Sequence, residues 1–152
     1  MKVGILTVSD RASAGIYEDK SGKEVEKFVR ENFDVSEVRY RLVPDERELV
    51  AQALRELGDV CDLVLTTGGT GPAKRDVTPE ATSDVCEKML PGFGEAMRLE
   101  SLKFVKTAVL SRQTAGIYKE CVVINLPGNP RAIYQCLTPI KEAVVACVKL
   151  VK

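Results

Sequence analysis

The sequence contains no histidine. That absence removes Ser-His-Asp triads, Cys-His pairs and histidine-ligated zinc together, so acid-base or metal chemistry must rest on carboxylates, lysines, tyrosines or the substrate itself. Net charge is lacking too: 22 Lys and Arg balance 22 Asp and Glu, leaving no overall basic field to hold a nucleic-acid backbone or an anionic membrane. Neither partner is expected, and any anion site must be local. No apolar stretch approaches the ~20 residues of a spanning helix, and the run from Met1 to Asp10 is cut off by charge too early for a signal-peptide core. The five cysteines, Cys61, Cys86, Cys121, Cys136 and Cys147, form no C-x-x-C pair. In their mostly apolar contexts they read as free buried thiols, and a cytoplasmic protein is expected. Repeats, linkers and low-complexity tracts are also absent, so residues 1–152 are expected to form one domain.

What is present is an alternation of strand and helix patterns. Lys2 to Val8 is a short buried-strand run, and Val25, Phe28, Val29 and Phe33 recur at helical spacing, predicting a helix over Lys20 to Glu31 with Asp19 as its cap. Val38, Tyr40 and Leu42 alternate as in a strand. Asp45 with Glu48 reads as a capping box for a helix that stops at Gly58. Cys61 to Thr66 is a further buried strand, after which Thr78 and Pro79 suit the N-cap and first turn of another helix. Pro91 to Gly94 interrupts the helical pattern before it resumes at Ala96. Lys106 to Ser111 and Cys121 to Leu126 are expected as the last two strands, separated by a loop holding Arg112, Gly116 and Tyr118 and followed by a helical segment that Pro139 kinks or splits. Such alternation predicts an α/β fold, a three-layer α/β/α sandwich around a mainly parallel sheet. Ligands of such sheets bind beyond the carboxyl ends of the strands. The segments leaving those ends here concentrate Gly, Pro, Asp and Arg.

The richest of these segments is TTGGTGPAKRDVTPE, residues 66–80. Gly68, Gly69, Thr70 and Gly71 sit between a strand and a helix, where small residues let backbone N–H groups approach a phosphate. The turn is neither a P-loop nor a dinucleotide fingerprint, and alone it reads equally well as a plain tight turn. Lys74, Arg75 and Asp76 follow at once. Asp45 should lie at the end of a neighbouring strand, with helix capping as its competing role. Two carboxylates, adjacent cations and a glycine-rich turn suit phosphoryl or nucleotidyl transfer, in which carboxylates hold Mg²⁺ and Lys, Arg and backbone N–H groups stabilise the transferring group. An ionised phosphate nucleophile needs no strong base, which suits a chain without histidine.

The motifs SDRASAGIYEDKSG, VPDERE, LTTGGTGPAKRDVTPEAT, PGFGEAMR, AVLSR and NLPGNP, in this order, resemble the molybdopterin-binding family, and within it the molybdopterin adenylyltransferases and the G domains of gephyrin-like proteins. The resemblance runs almost from Val3 to the final helix. It implies transfer of AMP from Mg-ATP to the terminal phosphate of molybdopterin, with Asp45 and Asp76 as the catalytic acidic positions and the candidate Mg²⁺ ligands. It further implies that Gly68 to Gly71 and Arg75 bind the nucleotide or its phosphates, and that Ser9, Asp10, Ser111, Arg112, Pro127, Gly128 and Asn129 line the pterin pocket. A homotrimer and transient contact with the molybdate insertase are implied as well. The alternative is a relative that binds molybdopterin, or scaffolds its assembly, without catalysis; a nucleotide-dependent oxidoreductase is disfavoured by the missing glycine pattern.

Overall fold

A computed structural model describes residues 1–152. Four parallel strands make up most of its sheet: β1 (Lys2–Val8), β2 (Glu37–Val43), β3 (Leu63–Thr67) and β6 (Cys121–Leu126). Two short strands, β4 (Lys88–Met89) and β5 (Ala115–Tyr118), complete the order β2-β1-β3-β6-β5-β4, with β5 antiparallel to both its neighbours. The expected mainly parallel α/β architecture is therefore present.

Alternation along the strands divides the core in two. Val3, Ile5, Leu63, Leu65, Val122 and Ile124 pack on one face with α2 (Lys20–Asn32), α5 (Pro91–Ser101), α6 (Ala132–Leu137) and α7 (Lys141–Leu150). Leu6, Val64 and Val123 point to the opposite face, under α3 (Arg47–Gly58) and α4 (Thr78–Val85). Burial on both faces is why the central strands read as continuous apolar runs. Asp19 caps α2 as expected, accepting from the Gly22 N–H at 2.9 Å. Pro139 lies in a 3₁₀ turn, Thr138–Ile140, that separates α6 from α7. The cysteines are free: Cys61, Cys121 and Cys136 are buried, Cys86 and Cys147 half-buried. No helix is long and apolar enough to cross a membrane.

Several local expectations require correction. Lys106–Leu110 is a 3₁₀ helix and not a strand; its branched residues have no neighbouring strand to pair with, and Val109 and Leu110 face outward. The strand forms instead at Ala115–Tyr118, where Gly116 had read as loop, because a tight turn through Lys119 folds it back onto β6. Gly116 is the residue that fits there, since a Cβ would come within 2.6 Å of Cys86 Cβ. Pro91 opens α5 and does not interrupt it. Asp45 does not cap α3: the N-cap is Glu46, without a side-chain cap bond. Thr78 is the first residue of α4 and not its cap. The end of α3 at Gly58 is as expected, and the missing side chain there admits the Tyr118 ring.

Candidate functional site

The carboxyl ends of β1, β2, β3 and β6 open on one crevice. After β1, the Ser9 N–H donates to the Val43 carbonyl at 2.9 Å, and Ser9 Oγ accepts from the Ala12 N–H at 3.1 Å, capping the one-turn helix α1 (Asp10–Ser13). This cap turns Asp10 toward the end of β2. The Asp10 N–H donates to Asp45 Oδ2 at 2.9 Å, and the Asp45 N–H donates to Asp10 Oδ1 at 2.9 Å. Asp10 also receives the Arg75 guanidinium through two bonds, 2.9 Å from Nε and 2.8 Å from Nη2. Arg75 therefore ties the loop after β3 to the loop after β1.

The two carboxyl groups are driven in opposite directions. Arg75 holds Asp10 below its ordinary value. Burial pushes Asp45 up; the Asp10 N–H opposes that rise, while the charges on Asp10 and Asp76 add to it. Repulsion from Asp76 is felt at Asp45 because both stand beside the same glycine bend.

That bend needs residues without side chains. Gly68 and Gly69 have φ of 97° and 69°, a region that L-residues with a Cβ rarely occupy. A Cβ on Gly68 would come within 2.2 Å of the Val8 carbonyl, and one on Gly69 within 2.3 Å of Thr78 Oγ1 and 3.1 Å of Asp45 Oδ1. Thr78 pins the bend from below, its hydroxyl donating to the Gly68 carbonyl at 2.9 Å and its N–H to the Gly69 carbonyl at 3.1 Å. Two residues on, a Cβ at Gly71 would meet Asp76 Oδ2 at 2.9 Å; that oxygen accepts from the Ala73 N–H at 3.0 Å. Asp45 and Asp76 thus flank the segment from Gly69 to Gly71.

Each of these carboxylates spends one oxygen on a backbone N–H and keeps Oδ1 free of protein donors. No group of three or more His, Cys, Asp or Glu side chains is arranged to hold a metal alone. The donor set fits Mg²⁺, which binds through one or two carboxylates together with substrate phosphates.

Arg112 holds the other side of the loop. Its Nε donates to the Gly71 carbonyl and its Nη2 to the Asp76 carbonyl, both at 2.9 Å, while Glu80 pairs with the guanidinium. Arg112 is therefore a clamp on the Gly71 to Asp76 turn, and Glu80, which the sequence did not single out, is its counter-ion. The last loop closes in as well: Thr67 Oγ1 donates to the Pro127 carbonyl at 2.7 Å, and a Cβ on Gly128 would lie 3.3 Å from Gly68 Cα.

Beside the carboxylates lies a cavity of about 300 Å³, lined by Thr70, Gly71, Ser111, Gln113, Pro127 and Asn129 among others. Thr70 and Gly71 belong to both parts, so cavity and carboxylate rim form one bipartite crevice. The structure brings Asp45, Asp76, Arg75 and Gly68 to Gly71 to its rim, and Ser111, Pro127 and Asn129 to its cavity. Ser9, Arg112 and Gly128 sit behind these walls as supports. Sequence reasoning missed Arg98, whose Nη1 donates to the Gln113 and Ser111 carbonyls at 2.7 and 3.4 Å, and Gln113 itself; the available signals were the place of Arg98 at the end of the PGFGEAMR motif and that of Gln113 directly after Arg112.

A family model described as a probable molybdopterin binding domain matches residues 4–146. The chain is 53% identical over 152 residues to the molybdopterin adenylyltransferase of Helicobacter pylori strain J99, covering 98% of this chain and 86% of that one. It is 48% identical over 146 residues to the molybdopterin adenylyltransferase of Escherichia coli K12, covering 94% and 75%. The crystal structure of the molybdopterin biosynthesis enzyme MoaB from Thermus thermophilus superposes with a TM-score of 0.89 at 38% identity, covering 99% of this chain and 95% of that one.

Proposed function

Because the chain belongs to the molybdopterin-binding domain family, we propose that it is a molybdopterin adenylyltransferase acting in molybdenum cofactor biosynthesis, with ATP as the AMP donor and Mg²⁺ as cofactor. The observation that carries the reading is the pair of carboxylates, Asp45 and Asp76, set against Gly69 and Gly71 of one glycine-rich bend.

In the proposed reaction an oxygen of the terminal phosphate of molybdopterin attacks the α-phosphorus of ATP. The bond from that phosphorus to the bridging oxygen breaks, and pyrophosphate leaves with the electron pair. Asp45 Oδ1 and Asp76 Oδ1 would hold Mg²⁺. Bound there, the ion supplies charge neutralisation for the triphosphate and its leaving group. The Gly68 to Gly71 backbone and Arg75 would bind phosphate oxygens, with Arg75 exchanging part of its contact with Asp10 for the ligand. The nucleophile is ionised at neutral pH, so no histidine is required.

A non-catalytic binder or scaffold is the weaker reading, because it leaves the two free carboxylate oxygens without a role. We further place the enzyme in the cytoplasm as a homotrimer in transient contact with the molybdate insertase. Self-association is supported by apolar side chains left in solvent along one segment, Leu99 at 70%, Phe104 at 60% and Val109 at 67% exposure, where such residues mark interaction sites. The activity is tested by pyrophosphate release. It should require molybdopterin, ATP and Mg²⁺ together, and release independent of molybdopterin would refute the assignment.

A further inference from the structure

Every buried side-chain nitrogen and oxygen in the chain has a hydrogen-bond partner except one, Gln113 Oε1. Gln113 is 2% exposed, and a buried acceptor left unpaired lowers stability, so its retention calls for a reason. Its surroundings are otherwise well tied. The main-chain carbonyl accepts from Arg98 Nη1 at 2.7 Å. The side-chain Nε2 reaches Cys136 Sγ at 3.6 Å, and that sulfur lies 3.5 Å from Ser101 Oγ. A thiol is a weak partner. Exchanging the amide oxygen and nitrogen would give the oxygen the Cys136 S–H and leave the NH₂ unpaired, so the surplus polar group persists either way.

Gln113 forms part of the wall of the cavity of about 300 Å³ next to the carboxylate rim. That volume admits a fused nitrogen heterocycle, and its lining is of the mixed kind in which a few polar groups fix a ligand's orientation. The terminal torsion of a glutamine is broad, so the carboxamide can turn its oxygen to the cavity without moving the backbone that Arg98 holds. We infer that Gln113 is a specificity-determining residue of this site, its side-chain oxygen accepting a hydrogen bond from an amine or ring N–H on the edge of a substrate heterocycle. The inference rests on the proposed adenylyl transfer. That chemistry offers two such edges, the pterin of molybdopterin and the adenine of ATP.

Equilibrium binding separates them. Wild-type protein, Gln113→Leu and Gln113→Met are titrated with molybdopterin alone and with a non-hydrolysable ATP analogue plus Mg²⁺, and the melting temperature of each free protein is recorded. Both variants should weaken one ligand about tenfold or more, the effect of one lost buried hydrogen bond, and change the other less than twofold. The melting temperature should hold or rise, because the unpaired acceptor is gone. A loss confined to the molybdopterin titration assigns the pterin edge, and one confined to the nucleotide titration assigns the adenine edge. Unchanged affinity for both ligands, or affinities that fall together, would overturn the role of Gln113. Wild-type turnover measured alongside tests the adenylyl-transfer reading independently, so failure of one is distinguishable from failure of the other.

Discussion

Asp10 and Asp45 exchange a pair of hydrogen bonds, each backbone N–H donating to the other's carboxylate at 2.9 Å. The exchange locks the loop after β1 to the loop after β2 and fixes Asp45 against Gly69. Removing the Asp10 carboxylate leaves the Asp45 N–H without its acceptor and releases Arg75. Asp10→Ala should cost about 1–2 kcal/mol of stability, read by urea unfolding, and lower kcat by a larger factor than that loss of stability explains. Wild-type turnover in a folded Asp10→Ala protein would show that the exchange does not position Asp45.

Arg112 donates to two carbonyls of the Gly71 to Asp76 turn while pairing with Glu80. Lysine cannot reproduce this fork. Both Arg112→Ala and Arg112→Lys should destabilise the fold by about 1–3 kcal/mol and raise the protease sensitivity of the turn, measured by limited proteolysis. Near-wild-type behaviour of the lysine variant would mean that charge alone suffices.

The Arg112 guanidinium, chiefly through its hydrogen bond, holds the Glu80 carboxyl below its ordinary value of 4.5. A carboxyl whose folded-state pKa is depressed adds stability that is present above the unfolded pKa and is lost as pH falls through the folded value. The gap in unfolding midpoint between wild type and Glu80→Gln should therefore be full near pH 7, begin to narrow as pH falls through the unfolded glutamate value of about 4.3, and go on closing as pH falls through the lower folded value. A gap of the same size at every pH down through the acid range would contradict the pairing.

Gly69 combines a φ of 69° with the approach of Thr78 Oγ1 and Asp45 Oδ1. Gly69→Ala should lose about 1–3 kcal/mol and displace one or both neighbours, so that turnover falls even at temperatures where the variant is fully folded. A crystal structure of the variant with Asp45 and Thr78 unmoved would count against the close fit.

Legibility in the sequence followed the range of the physics. Burial and local capping were readable: β1 and β3 as apolar runs, α2 with its Asp19 cap, and the break at Pro139 each depend on neighbours within a few residues. Lys106–Leu110 was not, because its branched residues have strand propensity but no strand to pair with, and tertiary context decides such cases. Gly116 read as loop because its strand is imposed by β6 and by the Cys86 side chain that fills the space of a Cβ. At the site, the glycine bend and the two acidic positions were legible through the motif. The Asp10 to Asp45 exchange, the Arg112 clamp and the buried Gln113 carboxamide join residues 23 to 41 positions apart, and no spacing rule reaches that far.

The most direct measurement follows the product. Wild-type protein, Asp45→Asn and Asp76→Asn are incubated with molybdopterin and Mg-ATP, and the reaction is read by mass spectrometry, with circular dichroism establishing that each variant is folded. The expected result is molybdopterin carrying an added AMP in the wild-type reaction and a loss of at least about a hundredfold in rate in each variant, the scale of removing an electrostatic stabiliser from a transfer site. Adenylylated product formed at wild-type rates by both folded variants would contradict the claim that these two carboxylates run the reaction.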